Sequence, residues 1–259
     1  MSERVDLRAY CERIGYDGPL DPTVETLTKL HQRHRLTVPY ENLDITLRRP
    51  LMHTPEALFQ KIVGRRRGGW CHELNRLFAY VLEQIGFRLT YHNAKVWQTY
   101  GGVSPDFSHL VLVVHLAERW IADVGFGARG PLDPLRLDTE EPQPSAGDWY
   151  RVGPDPEDGG RRMVAWRPAG GGEWLNMYSM AMAPRPLTDF DGRSAEQQGE
   201  ENWWGRRVAS IATQEGRVSL NHDRLIVTRE GARVERVLEE EELPRVLRES
   251  FGIELDDGG

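Results

Sequence analysis

Hydrophobic residues along the chain recur first at helical spacing and then in short β-like runs. Val24, Leu27 and Leu30 follow Asp21-Pro22 three residues apart, and Thr54-Pro55-Glu56 offers a capping hydroxyl, a first-turn proline and an early acid, so a helix is predicted at each place. The clearest helix begins at or just after Cys71. Leu74, Leu77, Phe78, Val81, Leu82 and Ile85 keep one apolar face until Gly86 stops it. From Arg88 the runs RLTYHNAKVW, SHLVLVVHL and RWIADVGFG, set apart by glycines, prolines and charged turns, predict strands. DWYRVG, MVAWRP and EWLNMYSM alternate as further strands, with PDPEDGGRR and PAGGGE as exposed hairpin loops. An antiparallel sheet or barrel follows. After Phe190, DGRSAEQQGEEN carries no pattern, VSLNHDRLIVT reads as one more hairpin and EEELPRVLRESF as a closing helix.

Composition narrows the function without naming it. With 259 residues, 39% hydrophobic and 28% charged, the chain can bury a substantial core and does not read as disordered. A net charge of -7 argues against a nucleic-acid partner, because the RRR run at 65 to 67 is only local. Neither a charged-then-apolar leader nor an apolar run of spanning length is visible, so no membrane partner and a cytoplasmic location are expected. Cys11 and Cys71 are the only cysteines, too few for a disulfide framework in such a compartment, and the scattered histidines lack zinc-ligand spacing, so no metal is expected.

The interest of Cys71 is therefore chemical. In RRRGGWCHELN it stands at the mouth of the predicted helix, where free amides and the helix dipole favour a thiolate and Arg65 to Arg67 add positive potential. Gly68 and Gly69 remove side chains before it, which suits a sharp turn or a close substrate approach. A thiol nucleophile also needs a base, and the base an orienting acceptor. Of eight histidines, His109 heads a strand, and Asp123 interrupts the next, apolar one. If Leu116, Ala117 and Glu118 form a three-residue loop, Arg119 pairs with His115, Asp123 lies opposite Val111, and His109 is its diagonal neighbour on the same face. A strand-end cap explains Asp123 equally well on this reasoning alone.

RGGWCHELN, SHL and WIADVGFG in this order resemble the arylamine N-acetyltransferase family, whose signature is RGG-aromatic-C-x-E-x-N, then a histidine strand, then a strand ending in DVGFG; RIGYDGP and VPYENLDI resemble its opening. The resemblance implies an α+β fold with a helical lobe over residues 1–86, an antiparallel β-barrel lobe over 87–190, an α/β lid over 191–259, and a Cys-His-Asp triad at the lobe junction. It further implies that Cys71 accepts the acyl group, His109 is its base, Asp123 orients His109, and Glu73 and Asn75 hold the first turn. The reaction would be ping-pong, from acetyl-coenzyme A through a Cys71 thioester to a small aromatic amine or hydrazine. Trp70, His72, Gly125, Phe126, Gly127 and Arg129 are the candidate contacts to donor or acceptor.

The chain departs from the family pattern in four places. His72 replaces the usual phenylalanine after the cysteine. The interval from His109 to Asp123 is one residue short, which the three-residue loop would absorb. SAEQQGEENWWGRRVAS replaces a Ser-Thr-x-Pro-x-Ser-x-Phe-like lid segment, with Trp203 and Trp204 as an aromatic wall or as packing, and Arg129 follows the DVGFG loop as a cation for a phosphate or carboxylate. An amide synthase fed by an acyl carrier protein, a Cys-His-Asp hydrolase and a non-catalytic binding protein are the alternatives.

Overall fold

The computed structural model describes residues 5–97, 102–199 and 206–255. Helix α1 (Leu7–Ile14) is capped by Asp6, whose carboxylate accepts from the Ala9 amide, and ends at Gly15 with φ +66°. Helix α2 (Val24–Thr37) is capped by the Thr23 hydroxyl. A short strand β1 (Tyr40–Glu41) and one-turn helix α3 (Leu43–Thr46) lead to α4 (Pro55–Phe59), which carries the predicted Thr54 cap and runs on as a π-turn over Gln60–Gly64. Helix α5 (Cys71–Ile85) starts at Cys71 and stops at Gly86, φ +110°, as the pattern predicts. Leu27, Leu30, Leu74, Leu77, Phe78, Val81 and Leu82 are all fully buried in one core. Each large apolar side chain so placed contributes about 1.5–3 kcal/mol of burial.

The central sheet has eight strands, all pairing antiparallel, in the order β5-β4-β3-β2-β9-β8-β7-β6. In chain order they are β2 (Leu89–Val96), β3 (His109–His115), β4 (Arg119–Ala122), β5 (Leu135–Arg136), β6 (Gln143–Ser145), β7 (Asp148–Pro154), β8 (Arg161–Arg167) and β9 (Leu175–Ala181). Side chains bridge the two outermost strands. The Arg136 amide donates to Gln143 Oε1 at 2.8 Å and Gln143 Nε2 donates to the Arg136 carbonyl at 3.0 Å, so one amide side chain stands in for a ladder peptide and nearly closes a barrel. Strand β3 is buried on both faces. Leu110, Leu112 and Val114 join the helical core, while Val111 and Val113 join the barrel core with Tyr150, Val164 and Tyr178. His115 pairs with Arg119 across Leu116, Ala117 and Glu118, the register that sets His109 and Asp123 on one face.

Helix α6 (Asp191–Gly199) forms in the stretch that carried no sequence pattern. Beyond it, β10 (Val208–Thr213), β11 (Gly216–Asn221), β12 (Arg224–Arg229) and β13 (Ala232–Val237) form a meander, and β10 also pairs with β1 to make a second sheet of five strands. The expected hairpin is β11–β12, turning through His222 and Asp223 with His222 at φ +58°. Helix α7 (Leu243–Phe251) closes the chain, and Val246, Leu247 and Phe251 pack with Leu43, Ala209 and Leu220. Strand β1 thus ties the N-terminal helices to the C-terminal sheet.

Candidate active site

The approach to Cys71 is built from buried charge. Arg67, expected to lend its potential to the thiol, instead donates to Glu41 Oε1 at 2.9 Å and to Asp44 at 3.1 Å. Lys61 joins the same network through Asp44 at 2.7 Å and Glu73 at 2.8 Å, and Glu73 also accepts the Trp70 amide at 2.8 Å. Arg65 and Arg66 are exposed. The arginine run therefore fastens the turn before α5, and its one buried charge is matched by acids. Gly68 serves the same turn. A Cβ there would lie 2.0 Å from the Pro39 carbonyl oxygen, so the glycine permits backbone to meet backbone beside β1 rather than a substrate to approach.

Cys71 is 4% exposed, and His109 and Asp123 are buried with it. His109 Nε2 donates to Asp123 Oδ2 at 2.7 Å, which fixes the imidazole tautomer. Asn75, one turn along α5 from Cys71, donates to Asp123 Oδ1 at 2.9 Å and to the Leu110 carbonyl at 2.7 Å, and accepts the Val124 amide at 2.9 Å. One side chain therefore joins α5, β3 and the turn after β4. Gly125 makes that junction possible, since a Cβ there would lie 2.7 Å from the Cys71 carbonyl oxygen and 2.8 Å from Asn75 Nδ2. The Cys71 thiol itself lies 3.6 Å from His72 Nδ1 and 3.8 Å from the carbonyl of Ser108, the neighbour of His109.

The electrostatics correct one expectation. Burial, then the charge of Asp123, pushes the Cys71 thiol up, and the backbone amides of the helix mouth offset this only in part. The arginine run does not lend the thiol the positive potential expected of it, since Arg67 is paired with Glu41 and Asp44 and Arg65 and Arg66 are exposed. Burial alone would raise Asp123 as well, but His109 and the hydrogen bonds from Asn75 and the Gly125 amide outweigh it and hold the carboxylate below its usual range.

The other sequence candidates surround this centre. Trp70 is buried with its ring 5.3 Å from that of Tyr40. Phe126 is half-buried, edge-on to His109 at 5.3 Å and 5.2 Å from the ring of Tyr178. Gly127 sits at φ +80°, where a side chain would be strained and would crowd Tyr40. Arg129 places its guanidinium 5.2 Å from the centre of the Trp166 ring, on the barrel side. Trp203 and Trp204 lie outside the described residues.

Three contributors escaped sequence reasoning. Arg35 is buried and donates to the carbonyls of Val124, Gly127 and Gly130, gripping the loop after Asp123 from α2. Its spacing from Leu27 and His31 on one helical face was the available signal. Ser108 and Gln197 were invisible: Gln197 Nε2 donates to the Ser108 carbonyl at 3.3 Å, and Arg76 holds Asp191 at 2.6 Å, so α6 docks over the site. Among the described residues, no group of three or more His, Cys, Asp or Glu side chains could hold a metal ion, and no helix is long and apolar enough to cross a membrane.

Comparison with known proteins fits the junction of helix and barrel that carries Cys71, His109 and Asp123. The family model described as N-acetyltransferase matches residues 23–258. An arylamine N-acetyltransferase from Mycobacterium tuberculosis (strain ATCC 25618 / H37Rv) is 34% identical over 264 residues, covering 98% of this chain and 92% of that protein. The chain belongs to the arylamine N-acetyltransferase family. The fold agrees with that membership, since the solved arylamine N-acetyltransferase from M. tuberculosis superposes with a TM-score of 0.90 at 32% identity over 98% of this chain and 95% of that one. The Mycobacterium marinum arylamine N-acetyltransferase, solved in complex with CoA, gives a TM-score of 0.88 at 31% identity over 96% and 93% of the two chains.

Proposed function

We propose that the protein transfers an acetyl group from acetyl-coenzyme A, through a thioester on Cys71, to the nitrogen of an arylamine or arylhydrazine. The observation that carries the assignment of roles is the buried 2.7 Å contact of His109 with Asp123, joined through Asn75 to the helix that begins at Cys71. Sγ attacks the thioester carbonyl while its proton passes to His109; the bond from carbon to the coenzyme A sulfur breaks, and that sulfur leaves with the proton. The amine nitrogen then attacks the Cys71 thioester. His109 takes the proton from nitrogen and returns it to Sγ as the bond from carbon to Sγ breaks. Asp123 keeps the imidazole in one tautomer and stabilises its protonated form.

Burial of the thiol suits this cycle. At 4% exposed, Cys71 is shielded from oxidants and electrophiles in bulk solvent. Phe126 and Tyr178, packed around His109, offer aromatic faces to the amine. Coenzyme A is favoured over a carrier-protein donor because the similar M. marinum enzyme is described in complex with it. Cys11 and Cys71 are both free thiols, which suits a reducing compartment, the cytoplasm. Initial rates with acetyl-coenzyme A and an arylamine varied together should give parallel double-reciprocal lines, and Cys71→Ser should lose the activity. Intersecting lines, or an active Cys71→Ser, would refute a Cys71 thioester.

A further inference from the structure

Strand β13 is the outermost strand of the five-stranded sheet, and every one of its residues is exposed. Among the described residues only β12 pairs with it, in an unbroken register without the bulge or proline that commonly blunts such an edge. The ladder fixes which backbone groups are free. The turn through Glu230 and Gly231, at φ +50° and +81°, makes Arg229 and Ala232 a hydrogen-bonded pair, and alternation makes Val227 with Val234 and Leu225 with Arg236 the next such pairs. The Leu238 amide donates to the Asp223 carbonyl at 2.7 Å and continues the same phase. Arg233, Glu235 and Val237 therefore turn their N–H and C=O groups away from the sheet.

The side chains restrict what can add there. Arg233, Glu235 and Val237 share one face, and Val234, 70% exposed, lies on the other. A second β13 laid antiparallel, with Val234 opposite the partner's Val234, sets Arg233 against the partner's Glu235 and Glu235 against the partner's Arg233. Both are pairs that exchange backbone hydrogen bonds, and opposite charges facing each other across a ladder stabilise it. The two valines meet on the two-fold axis as the closer, non-hydrogen-bonded kind of pair. A slip of two residues one way sets Glu235 against the partner's Glu235, and the other way Arg233 against the partner's Arg233. A slip of one residue sets free backbone groups against groups already bound to β12. One register alone satisfies backbone and charge together.

We propose that β13 joins two copies of this chain edge to edge about a two-fold axis at Val234, merging their five-stranded sheets into one. In the single chain Glu235 already accepts from Arg233 at 2.6 Å and from Arg224, so on pairing Arg233 turns across to the partner's Glu235 while Arg224 stays. These ion pairs face solvent and select the register, while the backbone bonds and the valines supply the attraction. One strand pair buries less than the roughly 1,200 Å² of a standard interface, so the dimer is weak, with a dissociation constant on the order of 10 μM. No residue of β13 belongs to the site at Cys71, and the dimer stands independently of the proposed acetyl transfer.

Sedimentation velocity of the full chain at concentrations on either side of that value tests the proposal. Wild type should pass from monomer to dimer. Arg233→Glu and Glu235→Arg, each shown by circular dichroism to be folded, place like charges opposite each other and should each weaken the dimer about tenfold or more. An equimolar mixture of the two variants restores opposite charges at both pairs and should recover dimer that neither forms alone. A wild type that stays monomeric, single variants that associate as wild type does, or a mixture of folded variants that stays monomeric would each overturn the proposal.

Discussion

His31 and His34 share the buried face of α2, and both are neutral. His31 Nδ1 meets the Leu132 carbonyl at 2.9 Å and His34 Nδ1 meets the Tyr10 hydroxyl at 2.7 Å, so the first ties α2 to the segment before β5 and the second ties it to α1. Burial pulls His31 down to about 4, against the opposing pull of its bond to Leu132, and holds His34 well below its ordinary value. The unfolded chain therefore binds protons near pH 6.5 that the folded chain refuses, and stability must fall as pH drops from about 6.5 toward about 4. His31 alone contributes roughly 3 kcal/mol to that fall. Urea unfolding across this range should show it, and His31→Leu should flatten the slope. An unchanged slope in the variant would mean that His31 is not neutral in the folded protein. At this scale the sequence was legible where a residue belongs to a pattern and illegible where its partner is remote. Cys71, His109 and Asp123 announce themselves by neighbours in sequence. Arg67 did not, because its partners Glu41 and Asp44 lie on a distant segment and cancel the potential that the run RRR suggests.

Two elements meet to make the site: the first turn of α5 and the turn that follows β4. Their separation is set by Gly125, since any side chain there would strike the Cys71 carbonyl and Asn75. Gly125→Ala should therefore keep the barrel but push Asp123 and His109 away from the thiol, and a displacement of this kind costs about a hundredfold in acylation. Single-turnover acylation by acetyl-coenzyme A, with circular dichroism to confirm the fold, measures the effect, and near wild-type acylation would show that the close approach does not matter. Helix α5 is readable because its apolar residues keep helical spacing, and β3 and β4 because they are short apolar runs between turn residues; a three-residue loop between them, if assumed, sets His109 and Asp123 on one face. Helix α6 was not readable. Its sequence is polar almost throughout, and what holds it is a set of specific contacts from Arg76, His53 and Ser108 rather than an apolar stripe.

Across the whole molecule, the helical lobe supplies the thiol, the barrel supplies the imidazole and carboxylate, and α6 covers the place where they meet. Neither half can assemble the chemistry alone, which gives Arg35 and Asn75 their importance as buried side chains that cross from α2 and α5 to the loop after β4. A helical lobe followed by an antiparallel sheet or barrel is legible in the change of period near Arg88, and the choice of a barrel within an α+β fold comes from the family resemblance. The near-closure of the barrel did not, because it depends on the side chain of Gln143 replacing backbone pairing across the gap to Arg136. Similarly, strand β1 is too short to show a period and is defined by its pairing with β10 and by a bridge from Tyr40 to Gly69. The central claim is that this junction carries an acyl group on Cys71. Its most direct test is the intact mass of the protein after incubation with acetyl-coenzyme A, alone and after addition of an arylamine. The account predicts one acetyl adduct in wild type, absent in Cys71→Ser and discharged by the amine; an adduct that persists in Cys71→Ser, or none on a folded wild-type protein, would contradict it.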